Sequence, residues 1–174
     1  MGPREVRREM RDADELRDPE TGLSSERHFE ILLDFLFPIA HRGMHMTLVL
    51  FGIDEGSGAE EQPDQKQQII EVGSAIREVT RSSDLAARYG EDLFICLLTL
   101  CNVQGGLVFA DRIRDAISGY TSKTGTTVSA AVACHRGDEE GTKEDMLRAL
   151  EGALVAARAR GGDRVEVPKD DWNR

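Results

Sequence analysis

An α/β fold with a mixed central sheet flanked by helices is the class this sequence predicts, on three observations. The run MTLVLFGI (46–53) has the length of a strand and is apolar enough to be buried on both faces. Helical patterns alternate with such runs along the chain, as in strand–helix–strand units. Two further strands, Leu85 to Arg88 and Leu93 to Leu98, are separated only by Tyr89-Gly90-Glu91-Asp92, the spacing of a hairpin.

Each element has its own local signal. Residues 4–17, REVRREMRDADELR, alternate basic and acidic side chains with few apolar anchors, which suits a charged N-terminal helix or linker. Asp18-Pro19 breaks it, because a residue before proline disfavours the α conformation. Ser24 or Ser25 can cap a helix bearing Phe29, Leu32, Leu33 and Leu36, which Pro38 should end or kink near Phe37. After the first strand, DEGSGAEEQPDQ (54–65) reads as an acidic loop. A helix follows to about Thr80, with Ile69, Ile70, Val72, Ile76 and Val79 on its apolar face. Beyond the hairpin, Val108, Phe109, Ile113 and Ile117 mark a helix, and TTVSAAVAC (126–134) a strand. EDMLRALEGALVAARA (144–159) is a helix stopped by Gly161-Gly162, and RVEV (164–167) a last strand. The expected organisation is a charged helix or linker over 1–17, one domain over 18–168 and a tail over 169–174.

Composition narrows the function. A chain of 174 residues can bury a proper core, and its net charge of −10 argues against general binding to nucleic acid or anionic membrane. Cys96, Cys101 and Cys134 form no CxxC pair and read as reduced thiols, Cys96 as core. His28, His41, His45 and His135 are scattered, pair with no convincing nucleophile, and read as surface or loop residues. The charged N-terminus is no signal peptide and no apolar run approaches the ~20 residues that span a bilayer, so a cytoplasmic protein is expected. Gly105-Gly106 and Gly161-Gly162 lack the Lys-Ser/Thr of a phosphate loop and suit helix boundaries. Chemistry concentrates at RYGEDLF (88–94), where Glu91 and Asp92 stand at a chain reversal of the kind that can hold a metal, but Leu93 follows them.

Five blocks in order together resemble the GGDEF domain, the bacterial diguanylate cyclase fold related to nucleotidyl cyclases and the polymerase palm. They are DPETGL (18–23), LVLFGID (48–54), SDLAARYGEDLF (83–94), TTVSAAVA (126–133) and ALVAARARGGDRV (153–165). The resemblance implies condensation of two GTP molecules into cyclic di-GMP between two facing domains, with divalent metal on the triphosphate. Against that pattern the sequence departs repeatedly. The family's metal-binding aspartate at the end of the first strand aligns with Gly52. Within the signature Gly90, Glu91, Asp92, Leu93 and Phe94, Asp92 keeps a metal position, Leu93 replaces the glutamate thought to assist catalysis, and Glu91 replaces a glycine. Gly56-Ser57 replaces Phe-Lys, the guanine-reading Asn and Asp are missing with Lys66 in the second position, the phosphate-binding Lys is Arg158, and an Arg becomes Gly162. A lone Asp92 with Asp54 nearby is expected to hold Mg²⁺ poorly.

The resemblance also implies a second site. Arg81-Ser82-Ser83-Asp84 is an R-x-x-D at the family's inhibitory position for cyclic di-GMP, and Arg112 aligns with its third contact. An arginine fork suits guanine O6 and N7 or phosphate, and Asp84 can accept from guanine N1 and N2. The same tetrapeptide also suits a surface ion pair or a turn cap. The expected function is a catalytically inactive domain, not an enzyme, that serves as a cyclic di-GMP receptor through Arg81, Asp84 and Arg112. It would need no cofactor or metal and would signal through a homodimer or a protein partner. The alternatives are a nucleotide-free interaction scaffold and an enzyme, either a weak cyclase or a nucleotide-hydrolysing derivative using Asp54 and Asp92.

Overall fold

All eight residues of MTLVLFGI are buried, and this strand, β1 (Met46–Ile53), is the middle of the sheet. The structure, a computed structural model, describes residues 15–54, 64–120, 125–137 and 141–169. Before β1 comes α1 (Glu26–Ala40). After it follow α2 (Gln65–Val79), β2 (Leu85–Arg88), β3 (Leu93–Thr99), α3 (Val103–Tyr120), β4 (Val128–His135), α4 (Lys143–Ala159) and β5 (Val165–Glu166). The alternation is the expected one.

The strands lie in the order β2-β3-β1-β4-β5. β1 runs antiparallel to both neighbours, with Val49 opposite Cys96 of β3 and Val132 of β4. β2 and β3 form the expected hairpin, and β4 and β5 are parallel. The crossovers through α2 and α3 therefore join strands of like direction with an antiparallel strand between them, the split βαβ arrangement, whereas α4 joins the adjacent parallel strands β4 and β5. The parallel crossovers expected from the sequence exist as connections. Of the strands they join, only β4 and β5 are neighbours, however, and the sheet is mainly antiparallel.

Both faces of the sheet are covered, which is why β1 reads as a continuous apolar run rather than an alternating one. On one face Phe29, Leu33 and Phe37 of α1 join Leu150 and Leu154 of α4 over Leu48, Leu50 and Ile95. On the other, Ile69 and Ile76 of α2 join Phe109, Ile113 and Ile117 of α3 over Val49, Phe51 and Cys96. Burial pushes the Cys96 thiol well above its ordinary range, with the charge of Asp84 adding to the effect, so it is a packing residue as expected. Ser25 caps α1 by accepting from the His28 N–H at 3.3 Å, and Thr142 with Asp145 forms a capping box on α4.

Several expectations need correction. Pro38 neither ends nor breaks α1, which continues to Ala40. It sits in the last turn, where the missing N–H removes a single helical bond. Ile70 is half-buried and Val108 is 53% exposed, while Gly73 and Ala75 are buried on α2. His135 is no surface residue. It ends β4 fully buried, stacked on Phe37 at 4.8 Å and edge-on to His41 at 4.5 Å. The last strand is shorter than RVEV. Most of the expected charged helix, the loop containing Gly56-Ser57 and the end of the tail lie outside the described residues. Among the described residues, no helix is long and apolar enough to cross a membrane.

Phe29, wholly buried, packs edge-on against Tyr89 at 5.6 Å and so ties α1 to the turn of the hairpin. Phe29→Ala is expected to lower stability by about 3–5 kcal/mol, read as a fall in the urea midpoint.

Candidate functional site

The turn of the hairpin is held by its own backbone and by one arginine. The Tyr89 N–H donates to the Leu93 carbonyl at 2.8 Å, leaving Gly90, Glu91 and Asp92 to reverse the chain. The Arg88 guanidinium folds over this turn, donating from Nε to the Gly90 carbonyl at 3.1 Å and from Nη2 to that of Glu91 at 3.0 Å. Its remaining nitrogen, Nη1, reaches Asp18 at 3.4 Å and also pairs with Glu20. Asp18 in turn accepts from the backbone N–H and hydroxyl of Thr21 at 2.8 and 2.6 Å, in a turn completed by Gly22 at φ 69°. The blocks DPETGL and RYG are thus one unit whose side chains are spent on holding the turn in place.

Beside that unit lies the end of β1. At the end of β1, Gly52 lies opposite Leu93. The guanidinium of Arg158, from the last turn of α4, lies over it, so that a Cβ at position 52 would fall 2.8 Å from Arg158 Cζ. Arg158 Nη2 donates to the Ile53 carbonyl at 2.8 Å and to Asp92 Oδ2 at 2.5 Å. Leu93 packs against the core beneath α1 and α4, where the resemblance asks for an acid. Lys66, in the place of a base-reading aspartate, approaches Glu20 at 3.9 Å.

Asp54 is also committed elsewhere. Its Oδ2 accepts from Thr127 Oγ1 and from the Asp163 N–H, each at 2.8 Å, and its Oδ1 accepts from Ser129 Oγ at 2.7 Å. This carboxylate ties the end of β1 to β4 and to the turn after α4. Gly162, at φ 71°, allows the approach, because a Cβ there would lie 2.9 Å from Asp54 Cγ. Among the described residues, no three His, Cys, Asp or Glu side chains gather closely enough to hold a metal ion. A divalent ion on a triphosphate needs free oxygen ligands. Here Asp92 is paired with a guanidinium and both oxygens of Asp54 already accept hydrogen bonds, so this pair does not fit the metal the resemblance implies.

The other end of the hairpin is open. Arg81, Asp84 and Arg112 line one depression of ≈ 400 Å³ between the start of β2, the end of β3 and α3. The Asp84 N–H donates to the Arg81 carbonyl at 3.1 Å, and Thr99 Oγ1 holds the Ser83 carbonyl at 3.2 Å, so the R-x-x-D is a formed turn. Both arginines are exposed and Asp84 is half-buried. Among the described residues neither arginine forms an ion pair within 4.0 Å. The ion-pair reading of this tetrapeptide therefore has no support in the geometry. Sequence reasoning missed Leu100, Asn102 and Gln104 on the same rim. One signal was available for Asn102, whose side chain accepts from the Gly105 N–H at 2.9 Å at the start of α3, a capping role an asparagine ahead of a helix suggests. The Cys101 thiol on this rim is raised by burial and by the Asp84 charge, so it is not an activated nucleophile.

The family model for the diguanylate cyclase GGDEF domain matches residues 15–164. Diguanylate cyclase A of Treponema denticola is 31% identical over 106 residues, covering 58% of this chain and 28% of that protein. Diguanylate cyclase DgcP of Pseudomonas aeruginosa is 28% identical over 163 residues, covering 87% of this chain and 24% of that protein. The chain thus spans roughly a quarter of the length of the curated relatives it matches. Among solved structures, the coiled coil and GGDEF domain of DgcB from Caulobacter crescentus, in complex with c-di-GMP, superposes with a TM-score of 0.79. The identity is 23%, over 94% of this chain and 92% of that one. At that identity the likeness speaks for the fold.

Because Asp54 holds three elements together, Asp54→Ala is expected to lower stability by about 3 kcal/mol, the scale of lost charge-assisted hydrogen bonds. Urea unfolding monitored by circular dichroism checks it.

Proposed function

The chain belongs to the GGDEF family, and from that premise we propose that it has lost cyclase chemistry and acts as a cyclic di-GMP receptor through Arg81, Asp84 and Arg112. The observation that supports this reading best is the contrast between the two ends of the hairpin. At one end, the groups that would hold metal are consumed by Arg158 and by the donors around Asp54. At the other, two exposed arginines and a carboxylate converge on one concave surface.

The chemistry of the second surface suits a guanine dinucleotide. Paired arginines provide forks for phosphate oxygens or for guanine O6 and N7, and Asp84 provides the acceptor that N1 and N2 need. The missing acids at positions 52 and 93 argue against turnover, since each lost group that stabilises transition-state charge typically costs ~3 kcal/mol. The DgcB domain of like fold is itself a c-di-GMP complex. The output for this chain would be a change in dimerisation or in binding to a protein partner.

A second reading, an interaction module that binds no nucleotide, is favoured by one feature. Ile31, Phe35 and Ile39 are 51%, 67% and 38% exposed along the outer face of α1. An Arg81→Ala, Asp84→Ala double variant that keeps every partner interaction would favour this module over the receptor.

Calorimetric titration of the purified chain with cyclic di-GMP is expected to show binding. Arg81→Ala should weaken it by about 2–5 kcal/mol, roughly 30-fold or more. Incubation with GTP and Mg²⁺ or Mn²⁺ should yield no cyclic di-GMP. Silence in the titration would sink the receptor reading, and product formation would sink the claim of lost chemistry.

A further inference from the structure

We propose that Arg158 is the resident cation of the hairpin site, and that Gly52 is the residue that makes room for it. The guanidinium bridges two oxygens of the kind a hard divalent ion takes as ligands, the Ile53 carbonyl and Asp92 Oδ2, at 2.8 and 2.5 Å. It does so across the one position of β1 that lacks a side chain. A Cβ at residue 52 would fall 2.8 Å from Arg158 Cζ and 3.1 Å from Leu154 Cδ2, so any larger residue there must displace the guanidinium from its present position. Arg158 Nε is buried with no hydrogen-bond partner among the described residues. Among these residues the side chain is held by its two Nη2 bonds alone. Asp54, the other nearby carboxylate, has both oxygens occupied and leaves Asp92 as the anion Arg158 neutralises.

The consequence is that the loss at position 52 and the arginine at position 158 are coupled. The glycine does not leave a weakened metal site behind. It lets an internal monovalent cation tie the turn of the hairpin to α4 and to the end of β1, independent of any metal. An acid returned to position 52 alone would meet Arg158 and pair with it, so a divalent site requires both positions to change. Such a brace deepens the reading of the hairpin as chemically silent, and it is tested by metal binding without nucleotide, so the two can fail separately.

The experiment is a Mn²⁺ titration followed by the electron paramagnetic resonance of the free ion, on the wild-type chain, Gly52→Asp, and Gly52→Asp with Arg158→Ala. Wild type and the single variant are expected to leave the free-ion signal unchanged into the millimolar range. The double variant should bind Mn²⁺ more tightly than the single by about tenfold or more. Sub-millimolar binding by wild type overturns the proposal, as does a folded double variant that binds no better than the single. Should the double variant fail to fold by circular dichroism, thermal melts of Asp92→Ala, Arg158→Ala and the pair decide the matter. A pair that melts no lower than the worse single variant supports the brace, and fully additive shifts overturn it.

Discussion

The structure depends first on β1 being buried on both faces and paired on both edges. Its alternate residues feed two separate cores, so neither helical layer can shift without uncovering the other side of the same strand. Because both partners are antiparallel to it, residues 52–54 are brought beside the start of β4 and beside the turn between β2 and β3. The last turn of α4 closes over the same corner through Arg158. Everything said of the hairpin site follows from which side chains meet at that corner.

There, the charged side chains of the GGDEF-like blocks, among them Asp92 at the position the resemblance gives to metal, are turned inward on the fold. Arg88 is satisfied by two turn carbonyls and two acids, Asp54 by three donors, and Asp92 by Arg158. A partly exposed ion pair such as Arg158–Asp92 contributes little stability by itself. Its importance is positional, because it engages the carboxylate at the tip of the hairpin. At the opposite end of the same two strands, Arg81 and Arg112 stay exposed around a depression. One hairpin therefore separates a closed corner from an open one.

Much of this was legible in the sequence. The order of elements followed from apolar period and length, and the five blocks were enough to name the family. The residues at positions 52 and 93 could be seen to depart from the family pattern because a missing carboxylate is visible residue by residue. What could not be read was pairing across long sequence separations. Nothing in the local pattern says that Arg158 reaches Asp92, or that the Asp163 N–H donates to Asp54, because several strands and helices intervene each time. His135 was misread for the same reason: the strand runs one residue further than its pattern suggested, and Phe37 and His41 cover it from α1. Pro38 was misread because proline rules describe helix interiors, and here it falls within a turn of the natural end.

The most direct test of the division between the two corners is an amide-resolved NMR titration with cyclic di-GMP. The account predicts shifts that cluster at Arg81–Leu85 and along Leu98–Arg112, with the amides of Arg88–Leu93 and Gly52–Asp54 unmoved. Shifts centred on the hairpin turn and residues 52–54, or no shifts anywhere at saturating ligand, would contradict it.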